Sequence, residues 1–180
     1  LLRYFNILLI ASVGIVLVSD LMLRKLSAGV LRILFLLYSL IIGTVFSTIG
    51  FLYSPLAILY AFGTALTIFV VMAIYGFISK EDLSSYRRFF IVGLISLIIM
   101  GLINIRLGVG PLYWIETIAG VVIFTGLIAY DVNRIKWISY QLADGDNEVM
   151  EKMSIDGAFN LYLDFINLFL YLLRIFGRKK

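Results

Sequence analysis

The chain has 180 residues, of which 62% are hydrophobic and only 14% charged, with a formal net charge of +4. Soluble domains hold about 45–50% apolar and about 25% charged residues, so this composition belongs to a membrane protein, and so small a net charge requires no nucleic-acid partner. Neither histidine nor cysteine occurs, which excludes disulfides, thiolate or imidazole metal sites, the usual hydrolase triads and any neutral-pH switch built on imidazole.

A helix that crosses about 30 Å of hydrocarbon needs roughly 20 apolar residues. Six such runs follow one another, at residues 4–23, 30–49, 56–77, 89–105, 112–130 and 157–176. Each is continuously apolar rather than alternating, which favours helices over a barrel because a helix satisfies its own backbone. The expected fold is all-α: a polytopic transmembrane helix bundle forming a single transmembrane domain over residues 1–180. Gly and Pro mark tight connections at 27–29, 50–55 and 108–111,. Only 131–156 reads as a longer loop, and it is rich in charge. Of the 15 Lys and Arg residues, nine fall on the side of Arg24, Arg87 and Arg134 and six on the other. That balance favours the first side as cytoplasmic, although the basic tail 178–180 pulls the other way.

Charged residues inside the apolar runs are the candidates for function. On the first run Asp20 and Arg24 lie four apart, as a helical ion pair does, or with Arg24 free to act as a counter-ion. Glu116 opens the fifth run near one membrane surface. It fits the far mouth of a pathway, or an interfacial acid that reaches for water. Asp131 ends the fifth run on the opposite surface, within Tyr130-Asp131-Val132-Asn133. The last run carries Asp164 near its middle, where an ionised Asp costs roughly 2.5–3.5 kcal/mol on insertion scales and so needs a partner or a task. Asn160, Asp164, Asn167 and Tyr171 follow at offsets of four, three and four, which puts them on one helix face,. That stripe reads as the wall of a polar cavity.

Asp131 and Asp164 can meet if the fifth and sixth runs pack side by side. Two close carboxyls do not both ionise easily and titrate as a unit. Such a pair is a proton-operated switch and, when ionised, a transient oxygen site for a hard cation such as Ca²⁺. The plainer alternatives are a buried Asp164 that only hydrogen-bonds its neighbours and a solvated Asp131 at a helix end. Asp144-Gly145-Asp146-Asn147-Glu148 suggests a Ca²⁺ loop, but Val149 and Ile155 stand where its glycine and closing glutamate belong. No phosphate-binding Gly-rich pattern occurs.

These features resemble the transmembrane Bax inhibitor motif family, including its prokaryotic members. The resemblance is carried by Phe46-Ser47-Thr48-Ile49-Gly50 with Tyr53-Ser54-Pro55, by Ala61-Phe62-Gly63-Thr64-Ala65 and by Lys80-Glu81-Asp82-Leu83. It continues with Tyr130-Asp131-Val132-Asn133 and ends with Asn160-Leu161-Tyr162-Leu163-Asp164-Phe165-Ile166-Asn167-Leu168-Phe169. It implies seven helices around a central C-terminal one, and a proton-sensitive Ca²⁺ leak whose switch aspartates correspond to Asp131 and Asp164. The six runs would then be the second to seventh helices, and a first residue of Leu fits the loss of the first. The arginine that partners the family's acid pair falls near Leu23, one residue from Arg24.

The expected function is a pH-sensitive calcium leak channel, probed against two alternatives: a non-conducting regulatory or scaffold protein, and a proton-coupled small-solute transporter. No enzymatic activity is expected, and no cofactor beyond Ca²⁺ as the permeating ion. The expected partners are the lipid bilayer, Ca²⁺ and protons, and the expected place is the prokaryotic plasma (inner) membrane.

Overall fold

The computed structural model describes residues 26–141 and 147–177. Six helices follow in order: α1 (Ala28–Ser47), the single-turn α2 (Ile49–Leu52), α3 (Pro55–Ile78), α4 (Arg87–Leu107), α5 (Gly110–Gln141) and α6 (Asn147–Phe176), with a 3₁₀ turn at Leu83–Tyr86 before α4. No strand occurs among the described residues. Among the described residues five segments are long and apolar enough to cross a bilayer, the first being α1 and α2 taken together. The protein is a multi-pass integral membrane protein. The run predicted at residues 4–23 lies outside the described residues, together with Asp20 and Arg24.

Local chemistry sets the helix ends. Ser27 caps α1 by accepting from the Val30 amide, and Ser54 caps α3 by accepting from the Ala57 amide, with Pro55 at the first helical position. Each hydroxyl thereby satisfies one of the amides a helix start leaves open. The predicted turn at 27–29 is shorter than expected, because Gly29 already belongs to α1. Gly108, at φ 62°, ends α4 in the left-handed conformation that glycine tolerates best,.

The connection predicted at 131–156 is the main correction. Helix α5 continues to Gln141 and α6 begins at Asn147, so most of that stretch is helix. Asp131 therefore lies inside α5 rather than at its end, and Asp164 lies past the middle of α6. At 32 residues, α5 is about 48 Å long, well beyond the hydrocarbon thickness. Beyond the bilayer a helix no longer needs an apolar surface all round, only a partner. Ile135 of α5 lies against Gly157 of α6 there, and Ile138, Met150 and Met153 line a small cavity between the two helices.

Helices α3, α5 and α6 make the centre, with α1 laid on α6 and α4 on α5. The small residues Ala57, Ala61 and Ala65 recur every fourth position of α3, and the last two are fully buried. Such a stripe lets helices approach closely where lipid supplies no hydrophobic drive. At Gly76 the approach is closer still, and any Cβ there would collide with the Ala129 carbonyl oxygen. On α6 the aromatic side packs on its neighbours: Phe159 meets Tyr38 of α1 at 5.0 Å, and Phe165 meets Phe69 of α3 edge-on at 5.6 Å. The remaining face of α6, which carries the polar stripe, turns to α5.

Candidate functional site

Helices α5 and α6 run antiparallel, so that Asp131 meets Asp164, Gly120 lies under Tyr171 and Glu116 meets Arg174. Asp131 and Asp164 face each other across the α5–α6 contact, close enough to act on each other electrostatically. Asp131 is 7% exposed and Asp164 6%, so both carboxyls are buried. Two carboxyls brought together away from water do not both ionise easily. Asp164 Oδ2 is buried and finds no hydrogen-bond partner. An acceptor left in that condition is costly unless something occupies it in another state.

The rest of the predicted stripe divides into two. Asn160 reaches away from the bilayer centre and donates through Nδ2 to Asp156 Oδ2 at 3.4 Å. Asn167 donates to the Leu163 carbonyl of its own helix at 2.8 Å. The Tyr171 ring covers Gly120, where any Cβ would stand 2.5 Å from the ring, and stacks on Phe124 at 5.8 Å. Only glycine at 120 leaves room for that ring.

Glu116 is not an interfacial acid reaching for water. It is 4% exposed and its Oε1 accepts from Arg174 Nη1 at 2.9 Å. The arginine lies over the Tyr171 ring at 4.8 Å and the Tyr113 ring at 5.6 Å. A planar guanidinium held between a carboxylate and aromatic faces is well compensated even where water is scarce. Glu116, Asn167 and Tyr171 also border a cavity of about 430 Å³ whose other wall is the apolar face of α4. Glu116 lies some 22 Å from Asp131 along α5 at 1.5 Å per residue.

Four residues that matter here escaped the reading of the sequence. Asp156 and Arg174 extend the stripe at the same spacing, to 156, 160, 164, 167, 171 and 174, and continuing the count in both directions would have found both. Arg134 lies one turn beyond Asp131 and pairs with Asp156 at 3.8 Å. Asn133 is fully buried and closes the structure beside the acid pair. Its Oδ1 accepts from the Leu83 amide at 3.0 Å, while Nδ2 donates to the Gly76 carbonyl at 3.1 Å and the Glu81 carbonyl at 3.0 Å. Lys136 donates to the Phe77 and Ser79 carbonyls from the next turn. The end of α3 and the segment after it are therefore tied to α5 just past Asp131.

Among the described residues no three acids converge in a metal-holding group. A cation at Asp131 and Asp164 would have two carboxylates, which suits passage better than permanent residence.

Comparison with known proteins matches this arrangement to a family. The pattern of the family described as "Inhibitor of apoptosis-promoting Bax1" matches residues 2–180. The Inner membrane protein YbhL of Escherichia coli K12 is 41% identical over 173 residues, covering 96% of this chain and 74% of that protein. An uncharacterized protein of Borreliella burgdorferi is 38% identical, covering 98% of this chain and 75% of its own length. The uncharacterized protein RP147 of Rickettsia prowazekii is also 38% identical, covering 97% and 73%. The chain belongs to the Bax inhibitor-1-like family of membrane proteins.

Proposed function

We propose that the protein is a pH-sensitive calcium leak channel of the bacterial inner membrane, with the Asp131–Asp164 pair as both proton switch and cation station. One observation carries the reading: two carboxyls, each more than nine-tenths buried, face each other between membrane-spanning helices, and Asp164 Oδ2 has no hydrogen-bond partner. With the shared proton in place, the pair draws α5 and α6 together. Without it, two negative charges repel, and either the helices part or a cation takes the proton's position. The reading assigns no catalytic step and no resident cofactor, and it takes the bilayer, Ca²⁺ and protons as partners. Location in the inner membrane is supported by the name of the Escherichia coli relative.

The test is Ca²⁺ influx into vesicles, followed with an entrapped indicator at several pH values. Asp131→Asn and Asp164→Asn should each flatten the dependence of influx on pH between about 6 and 8, because an amide keeps a hydrogen bond but cannot release a charge. Asp164→Asn should also lower the rate, since it removes the oxygen that lacks a partner. Wild-type pH profiles in both variants would transfer the assignment to the regulatory or scaffold alternative.

A further inference from the structure

The polar seam continues past the acid pair. Arg134 stands one turn along α5 from Asp131, on the same helix face, and Asp156 stands two turns from Asp164 on the polar face of α6. Arg134 Nη2 lies 3.8 Å from Asp156 Oδ2. Both of these side chains also act electrostatically on Asp131. Asn160 bridges inward, bonded to Asp156 on one side and one turn from Asp164 on the other. The seam therefore runs from a half-exposed guanidinium, through a largely buried carboxylate and an amide, to the acid with an unfilled oxygen.

The arginine has two carboxylate neighbourhoods within reach and is loosely held in the one it occupies. A 3.8 Å separation is long for a charge-assisted hydrogen bond, and 41% of the Arg134 side chain remains exposed,. Arg174 at the other end of the seam differs in each respect, with a 2.9 Å contact and two aromatic faces around it.

We infer that Arg134 and Asp156 form the outer gate of the cation pathway. Asp156 holds the Arg134 guanidinium away from Asp131 and Asp164, and that guanidinium sets the barrier to an arriving cation. The inference rests on the conduction reading. An arginine released from Asp156 has the acid pair one turn away along α5, where it would occupy the position a cation needs. Removing Asp156 should therefore close the pathway, removing Arg134 should open it, and removing both should resemble the loss of Arg134 alone.

The experiment uses the whole chain in vesicles of mixed neutral and anionic phospholipid. Arg134→Gln should raise initial Ca²⁺ influx about 3- to 10-fold, with a weaker dependence on ionic strength, as removal of a like charge at a mouth does. Asp156→Asn should lower influx, and Arg134→Gln combined with Asp156→Asn should match Arg134→Gln. A change in the same direction for both single variants, or an additive double variant, overturns the gate.

A second readout does not depend on flux. The chain has no cysteine, so Asn160→Cys provides one thiol at the proposed mouth, and its rates with cationic and anionic thiol reagents report the local potential. The cationic-to-anionic ratio should rise with Arg134→Gln and fall with Asp156→Asn. An unreactive thiol, or a ratio that Arg134→Gln leaves unchanged, overturns the gate whatever the flux. Absent wild-type influx together with the expected ratios would overturn the conduction reading and leave the electrostatics of the mouth standing.

Discussion

The two ends of the α5–α6 seam each bury acidic side chains, and they treat them in opposite ways. Glu116 has a guanidinium at 2.9 Å, itself stacked on aromatic rings, so its charge is met locally. Asp164 has another acid for a partner and one oxygen with none. The first arrangement is a closed ion pair. On the proposed reading, the second has two states separated by one proton. Burial alone thus does not mark a functional carboxylate; the nature of its partner does. The framework around the poised end is, by contrast, tightly made, with Asn133 spending both ends of its amide on the α3–α4 connection.

That contrast between a movable pair and its fixed frame can be broken by Asn133→Leu, the largest effect expected here. The substitution keeps the volume roughly but strands the Leu83 amide and the Gly76 carbonyl, which lie away from water. An unsatisfied buried group costs about 1–3 kcal/mol, and part of the Glu81 loss is recovered by solvent, so a destabilisation of about 3 kcal/mol is expected. Chemical unfolding in detergent, followed by circular dichroism, measures it. A midpoint indistinguishable from wild type would mean that the frame is held elsewhere.

The other end offers the next effect. Arg174→Met leaves Glu116 buried without its counter-charge, the situation that makes breaking a buried pair costly. Exposure of 35% of the arginine side chain reduces the loss below the roughly 3–5 kcal/mol of a fully buried case, to about 2 kcal/mol. Glu116→Gln added to Arg174→Met should restore most of that stability, since no uncompensated charge then remains. If the double variant is no better than the single, Arg174 acts through its stacking on Tyr113 and Tyr171, and the contrast between the two ends narrows.

How far the sequence anticipated these features depended on whether they reside in one helix or between helices. Apolar runs announce bilayer-spanning segments because the hydrocarbon dictates both length and composition, and five of the six predicted runs lie in described helices. Their ends were less legible. Charge at Asp131 and beyond suggested a loop, yet the helix persists where side chains such as Ile135 still pack on α6, here at Gly157,. The meeting of Asp131 and Asp164 was foreseeable because both were placed toward one membrane surface on consecutive runs. The pairing of Glu116 with Arg174 was not, because it depends on the register of two antiparallel helices, which no residue spacing within either helix specifies. Asn133 was hidden by its position: beside a charged residue it read as part of a helix end, and its three partners come from segments 50 and more residues away.

The smallest expected effect tests whether burial, rather than the count of ion pairs, separates the strong contacts from the weak. Arg32 of α1 and Glu151 of α6 form an ion pair whose side chains are 63% and 40% exposed. Water screens such a pair, and ordering two long side chains offsets much of the attraction, so exposed pairs contribute about 0–1 kcal/mol. Glu151→Gln should therefore shift unfolding stability by less than about 0.5 kcal/mol, and added salt should erase the difference. The same salt should leave the effect of Arg174→Met nearly intact, because Glu116 lies where mobile ions do not reach. Equal salt sensitivity for the two substitutions would show that the Glu116 end is wetter than its 4% exposure implies. The contrast with Asp164 would then rest on the identity of the partner alone.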